Sequence, residues 1–374
     1  MANAVSQQVF RGLSKNTFLL ALSSLFADIS TEMLYPVLPI FLVQTLKASG
    51  SIVGLVDGFA QATQNIVQGF SGTLSDKLRR RKPLALVGYA LAAIAKPMMG
   101  MATVWQGLFA ARLLDRLGAG TRAAPRDALV ASSVADADRG RAFGLEGLGD
   151  NAGAFLGPLI ALALLYSFHV SLRGIFYLAV IPGLLAFVMV LFVNEHPATV
   201  SSKAKIDIGL RSFPRGYWKY LLVTALFCLG NSSNAFLIMR TQEVGASLQH
   251  TILIYAAFNL MAALVSYPAG SLSDAWGRKN VLLASFVVFF VAYLGFALTR
   301  NVMLIAVMFA VYGVFQGIFR AVGKAFAADF VPEPLRASGV GWYSTTVGLL
   351  QLIASLIAGV LWDRVSHAAV FYYG

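Results

Sequence analysis

One cysteine, four histidines and 17 acidic residues among 374 leave this chain little material for catalysis or metal binding. The lone Cys228 has no second cysteine to pair with, so no intramolecular disulfide can form. The histidines fall outside apolar spans or at their ends, and the chain shows no metal-ligand cluster, phosphate-binding glycine loop or nucleophile triad. No cofactor and no metal are expected, and an enzyme is excluded on the same ground. Charged residues make up only 12%. Alternating strands of about ten residues are also missing, which argues against a membrane barrel. The stretch before Thr17 lacks a small-residue cleavage site beside a short apolar core, so no cleaved signal peptide is read.

What the chain has is apolar length. It is 58% hydrophobic with a mean hydropathy of +0.71, more apolar surface than a soluble fold of this size needs to bury. Spanning a bilayer takes about 20 apolar residues as helix, and eleven such segments are predicted at about 17–43, 51–73, 83–103, 106–130, 142–167, 173–193, 217–239, 250–272, 281–299, 302–328 and 338–362. The reading is an all-α polytopic membrane protein. A net charge of +12 raises nucleic acid as a partner, yet the basic residues sit in short loops. With the N-terminus inside, 17 of them face the cytoplasm, among them Lys77, Arg79 to Lys82, Lys203, Lys205, Arg278 and Lys279; five face outward, Lys47, Arg173, Arg240, Arg300 and Arg364. That asymmetry is the positive-inside rule, so the lipid bilayer is the partner, no nucleic acid is expected, and the N-terminus is cytoplasmic.

The chain is one unit written twice. Gly72-Thr73-Leu74-Ser75-Asp76 with Arg80 returns as Gly270-Ser271-Leu272-Ser273-Asp274 with Arg278, every pair 198 residues apart, and Arg122 and Arg320 share that offset. The polar, basic segment with Pro197 and Pro214 separates the copies. The division is therefore 1–194, an N-terminal six-helix bundle; 195–216, a cytoplasmic linker; and 217–374, a C-terminal bundle of five helices and the start of a sixth. Phe371-Tyr372 reads as the first turn of a twelfth helix, the rest of which this sequence does not contain.

The duplicated G-x-L-S-D segment with its basic pair resembles the loop between the second and third helices of the major facilitator superfamily, repeated between the eighth and ninth. The first copy departs from it in having Arg79 where the family usually has glycine. The resemblance implies two pseudo-symmetric six-helix bundles around a central cavity, each made of inverted three-helix repeats. It also implies that Gly72, Asp76, Arg80, Gly270, Asp274 and Arg278 act as cytoplasmic gates. Gly72 and Gly270 would let a facing helix approach, and Arg80 and Arg278 would reach unpaired helix-end carbonyls.

Charges inside apolar spans are costly and mark candidate sites. Asp28 and Glu32 share a face of the first helix, followed by Pro36 and Pro39, which invite a kink exposing Tyr35 and nearby carbonyls. Asp57, Gln61, Gln64, Asn65 and Gln68 form a polar stripe on the second helix. The fourth carries Arg112, Asp115, Arg116, Arg122 and Arg126, where Arg112 and Asp115 can pair at i,i+3. Its Arg112-to-Gly120 segment resembles the superfamily's fourth-helix signature, whose arginine is associated with proton coupling, with the glycines two residues late. The fifth helix has Gly149, Gly153 and Gly157-Pro158, a small-residue row for close helix contact that partly resembles an antiporter signature, and Glu146 and Asp150 beside it. Proton coupling is thus expected at Asp28, Glu32, Arg112, Asp115, Glu146 and Asp150. Cavity contacts are expected from Tyr35, Gln61, Gln64, Arg116, Asn231, Asn234, Tyr255, Asn259 and Gln316.

These readings converge on a secondary active transporter of a small molecule, resembling bacterial proton-coupled drug and metabolite efflux members, with protons as the coupling partner, a monomeric state and a place in the bacterial inner membrane. Symport or uniport of a small organic anion is the alternative, favoured by Lys96, Arg112 and Arg116. A transport-inactive receptor or scaffold is the alternative of another class.

Overall fold

The computed structural model describes residues 8–10, 13–78, 80–135, 138–195, 213–331 and 336–374. A two-strand hairpin, β1 (Gln8–Phe10) with β2 (Leu13–Ser14), comes first, and the regular structure of the remaining described residues is helical. In order these helices are α1 (Lys15–Glu32), α2 (Leu38–Ile40), a π-helical turn (Phe41–Thr45), α3 (Gly50–Leu78), α4 (Lys82–Met101), α5 (Trp105–Ser132), α6 (Arg139–Tyr166), α7 (Leu172–Leu178) and α8 (Val180–Leu191). After the linker come α9 (Arg215–Gly230), α10 (Asn234–Glu243), α11 (Leu248–Trp276), α12 (Arg278–Leu298), α13 (Val302–Asp329), α14 (Arg336–Arg364) and α15 (Ala369–Tyr373). Residues 196–212 of the linker lie outside the described residues. Eight segments among the described residues are long and apolar enough to cross a membrane. The helices α1, α3 and α5, which carry most of the polar residues singled out above, are not among them.

Helix starts follow local chemistry. Ser14, Ser171 and Ser247 accept N–H bonds from the first turns of α1, α7 and α11, and Asn301 accepts two from α13. Each cap satisfies donors that a helix cannot satisfy internally.

The contacts group residues into two compact units, Met1–Phe41 with Thr63–Val200, and Leu42–Ala62 with Ser201–Gly374. In the first, α1 packs on α6 and α8, and α4 on α5 and α8. In the second, α9 packs on α14, and α11 and α12 on α13. The pairs α1–α6 and α9–α14 are equivalents under the sequence repeat, as are α4–α5 and α12–α13, so the duplication extends to packing. Helix α3 is shared: Gly50 to Ala62 belong with the second unit and the remainder with the first.

The glycine row of α6 does what its spacing predicts. A β-carbon on Gly149 would fall 2.5 Å from the Ala21 carbonyl oxygen, on Gly153 2.6 Å from that of Leu25, and on Gly157 2.9 Å from Glu32 Cβ. Only a missing side chain lets α6 lie this close to α1. Gly270 behaves otherwise. A β-carbon there would meet nothing within 4 Å, so the expected close approach of a facing helix at this glycine is not made.

In the second unit the start of α3 lies against α14, with Gly54 on the Ser355 carbonyl and Gly359 on Ser51. The Asp363 carboxylate accepts the N–H groups of Gly50 and Ser51, each at 2.8 Å, and the Ser51 hydroxyl at 2.5 Å. A carboxylate on the positive end of a helix is favourable both as a cap and as a charge.

The first helix of each repeat is interrupted at the same register. After α1 the chain turns through residues 33–37, and between α9 and α10 residues 231–233 are non-helical; 231 less 198 is 33. The first interruption is the kink that Pro36 and Pro39 predict, since neither has an N–H to continue the ladder. The second was not legible as a kink. Gly230-Asn231-Ser232-Ser233 contains no proline, but its polar side chains compete with the backbone. Ser233 caps α10 through Ala235 N–H at 3.0 Å, and its own N–H goes to Ser355 Oγ at 3.1 Å.

Candidate functional site: a charged interior and an amide-aromatic interior

The first unit gathers its charges into two groups. At the first, Asp115 of α5 is 2% exposed and receives three cations. Lys96 Nζ of α4 lies 3.0 Å from it, Arg112 Nη1 3.2 Å and Arg116 Nη2 2.6 Å. Lys96 and Arg112 are each 2% exposed, so this group is sealed from bulk water. Arg116 Nη1 continues to Gln64 Oε1 on α3 at 2.9 Å, and the Arg112 guanidinium lies 5.8 Å from the Tyr35 ring. The predicted Arg112–Asp115 pair forms; its enlargement by Lys96 comes from another helix, which spacing along α5 could not reveal.

The second group centres on Arg126. Its guanidinium contacts Asp127 at 3.1 Å, Glu146 at 2.5 Å and Asp150 at 3.5 Å, and donates to Ser24 Oγ at 2.9 Å. Ser24 in turn donates to Glu146. One cation therefore serves three carboxylates. Asp28, half-buried on α1, sits in the field of Asp150, Arg122, Glu32 and Arg126. Glu32 is half-buried one turn along. Arg122, 8% exposed, lies with its guanidinium 4.5 Å from the Tyr89 ring centroid, a cation–π contact. The α6 glycine row brings Asp28 to α6, since Gly153 abuts Asp28 Cβ.

The second unit is built from other chemistry. Asn231, 1% exposed, takes the Tyr312 hydroxyl on its amide oxygen at 3.1 Å, and Tyr293 approaches the same oxygen at 3.5 Å. Tyr312 also lies 2.9 Å from Asn234 Oδ1. Around them rings are contiguous: Phe289 on Tyr293 at 4.0 Å, Phe258 stacked on Tyr312 at 5.6 Å, and Tyr255 against Phe258 at 5.5 Å. Asn259, Gln316 and Gln61 are each half-buried. The polar stripe of α3 is divided, since Asp57 and Gln61 belong with this unit and Gln64 with the first. Asp57, 7% exposed, accepts the Ser233 hydroxyl at 2.5 Å. The Tyr312 hydroxyl lies within hydrogen-bonding distance of both Asn231 and Asn234. Tyr293, Tyr312, Ser24 and Ser233 were not foreseen, because nothing in their own segments distinguishes them from core residues.

Of the gate residues, the side-chain surroundings of Gly72 and Asp76 lie outside the described residues. Arg80 is exposed. Arg81, its neighbour, is the residue that reaches a helix carbonyl, Ala128 at 3.2 Å. Arg278 pairs with Asp329 and lies 3.5 Å from Asp274; among the described residues its partners are carboxylates, which bind a guanidinium more strongly than neutral acceptors do.

Two repeats of membrane-length helices with matched packing, interrupted first helices and polar groups concentrated in their interiors define the class: a polytopic helical transporter. A profile of the Major Facilitator Superfamily matches residues 20–239 and 220–374. The uncharacterized MFS-type transporter MJ1317 of Methanocaldococcus jannaschii is 35% identical over 371 residues, covering 97% of this chain and 92% of that protein. The chain belongs to the Major Facilitator Superfamily, and its work is secondary transport of a small molecule, without enzymatic chemistry. It is also similar to the quinolone resistance protein NorA of Staphylococcus aureus, 24% identical with 96% of this chain and 93% of that protein covered. Among solved structures, the nucleoside transporter NupG superposes with a TM-score of 0.79 at 16% identity, covering 95% and 94% of the two chains, a likeness of fold.

Proposed function

We propose that the chain is a proton-coupled exporter of small organic molecules, acting as a monomer in the bacterial inner membrane with its N-terminus in the cytoplasm. The observation that carries this reading is Arg126, one guanidinium in contact with three carboxylates. Uncompensated charge within a bilayer is expensive. Binding a proton neutralises one carboxylate, and releasing it restores competition for Arg126, so proton movement and the arrangement of α1, α5 and α6 are coupled. Asp28, Glu32, Glu146 and Asp150 are the coupling candidates, with Arg112 and Asp115 as a second charged group. Tyr35, Gln61, Gln64, Arg116, Asn231, Asn234, Tyr255, Asn259 and Gln316 supply cavity contacts. The repeats 1–194 and 217–374 alternate about the 195–216 linker, with Gly72, Asp76, Arg80, Gly270, Asp274 and Arg278 as gates. The similarity to a quinolone resistance protein supports efflux as the direction.

A second reading, organic-anion symport or uniport, is favoured by Lys96, Arg112 and Arg116 converging on Asp115. Proteoliposomes separate the two. With an imposed proton gradient and a fluorescent 4-quinolone inside or outside, the exporter should exchange quinolone for protons, seen as alkalinisation or acidification of an internal pH dye. Asp150→Asn or Glu146→Gln should abolish uphill movement while downhill exchange persists. Unchanged uphill transport in all of the single Asn or Gln variants at Asp28, Glu32, Asp115, Glu146 and Asp150 overturns proton coupling. Movement of an organic anion without protons establishes the second reading, and no movement of either favours a receptor or scaffold.

A further inference from the structure

Of the four charged side chains gathered at Asp115, one can change its charge at little chemical cost. Lys96, Arg112 and Arg116 bring three cations to a single carboxylate, so with every group ionised the buried cluster carries three positive charges less one negative. Such an excess is costly inside a bilayer, and a buried titratable group relieves it by becoming neutral. A guanidinium keeps its proton in proteins. Protonating Asp115 would remove the one negative charge and deepen the imbalance. Lysine is left, whose ammonium readily gives up its proton when buried. The hydrogen bonds agree. Among the described residues Lys96 Nζ has two acceptors, the Ala92 carbonyl at 3.2 Å and Asp115 Oδ1 at 3.0 Å. A neutral amine has two N–H bonds to place and an ammonium has three.

The helices packed on α4 are α5, α7 and α8. Besides Arg112, Asp115 and Arg116, α5 places Arg122 in the field of Lys96, over the Tyr89 ring of α4. Helix α7 brings Arg173 and Tyr177 to Gly100, one turn from Lys96, and α8 has no charged residue. Among these helices Asp115 is therefore the carboxylate that faces Lys96. The scaffold itself does not require the ionic version. Tyr293 and Tyr312 lie 197 residues beyond Lys96 and Asp115, on the equivalent helices α12 and α13, with ring centroids 5.9 Å apart. The second unit thus joins the same helix pair without charge, and a buried ion pair is weak evidence for a stabilising role. We propose that Lys96 is a proton-carrying residue of the transport cycle, an amine while the cluster is sealed and an ammonium when the cluster is open to water. On opening, the Nζ lone pair takes a proton from hydronium and leaves water; on resealing, the ammonium returns the proton to water, and Asp115 stays a carboxylate throughout. Arg116, the least buried of the three basic residues, continues to Gln64 in the polar stripe of α3, which marks the side on which water enters. This rests on the reading of the chain as a proton-coupled transporter and adds a base to its carboxylates.

The first measurement needs no substrate. The full chain, labelled with side-chain 15N-lysine, is placed in lipid nanodiscs, and the ten lysine nitrogens are followed by NMR between about pH 5 and 9, a range in which buried lysines titrate and exposed ones stay ammonium. One resonance should pass from ammonium to amine, and it should be missing from both Lys96→Arg and Lys96→Gln. Thermal melting confirms that a variant is folded, and if neither folds the wild-type titration decides alone. Ten lysines that all remain ammonium overturn the proposal, as does a titrating lysine that persists in either variant. The second measurement is uphill quinolone movement in proteoliposomes with an imposed proton gradient. Lys96→Arg keeps a cation in place but removes the exchangeable proton, so it should lose uphill movement and retain downhill exchange, whereas a lysine needed only as a cation would be rescued by arginine. Gradient-driven movement in Lys96→Arg equal to that of wild type sinks the role of Lys96 and leaves the exporter reading to its carboxylates. A titrating Lys96 in a protein whose quinolone flux ignores the gradient sustains the proton site and sinks the exporter reading instead.

Discussion

The two units began as one sequence and now keep their interiors in different chemical currencies. In the first, the interior is ionic: buried Asp115 with Lys96, Arg112 and Arg116, and Arg126 with buried Glu146 and the more exposed Asp127 and Asp150. In the second, the interior around the interruption is mainly amide, hydroxyl and ring, with Asp57 its one carboxylate among the described residues: Asn231, Asn234, Tyr293 and Tyr312 lie within a continuous aromatic array, and a buried charge elsewhere in the unit, Arg240, pairs with Glu243. The shared scaffold survives in the helix pairing and in the interruption at residues 33–37 and 231–233. Ion pairs in a low dielectric are strong, directional and sensitive to a single proton, whereas aromatic and amide contacts are weaker and tolerate varied ligands. Duplication followed by divergence thus gives one half the means to respond to protons and the other the means to hold an uncharged molecule.

The largest expected effect is at Asp115. Asp115→Ala leaves Lys96, Arg112 and Arg116 buried without the carboxylate they share, and removing one partner of a buried ionic group typically costs about 3–5 kcal/mol. Thermal unfolding in detergent should show a large destabilisation, and a loss below about 1 kcal/mol would mean that the cations have ready alternatives and that the ionic interior is not stringent.

Next come the glycines. Gly153→Leu forces a side chain into the Leu25 carbonyl and Asp28, and overpacking costs about 1–3 kcal/mol or more. Gly270→Leu points into open space and should stay within about 0.5 kcal/mol. Equal destabilisation of the two variants would show that Gly270 is in close contact after all, which would restore the role its place in the repeat suggested.

Tyr312→Phe should matter least, by about 0.5–1.5 kcal/mol, because it removes a hydroxyl that bonds Asn231 and Asn234 but retains the ring stacked on Phe258. A loss as large as that of Asp115→Ala would erase the contrast between the units, since neutral networks would then be as demanding as ionic ones.

Some of the architecture was legible because it is periodic or local. The helices appear within a few residues of the apolar runs that predict them; for example, a span read at 302–328 is α13, Val302–Asp329. Pro36 and Pro39 announced the first interruption, and the spacing of Gly149, Gly153 and Gly157 announced a close helix contact, though not which helix would occupy it. The pairing of Arg112 with Asp115 was readable because residues three apart on a helix are neighbours whatever else surrounds them.

Composition, hydropathy and a 198-residue offset by themselves determined that this is a duplicated, all-helical membrane protein, because burial in lipid requires apolar length and the repeat is written in the residues. Tertiary structure alone decided which polar groups meet across helices. Lys96 reaches Asp115 from α4, Ser24 and Glu146 reach Arg126 from α1 and α6, and Tyr312 reaches Asn231 from α13. It also decided that Asp363, 312 residues from Ser51, caps the start of α3. An ion pair or hydrogen bond acts over about 3 Å, and separation along the chain carries no information about that distance once helices have packed.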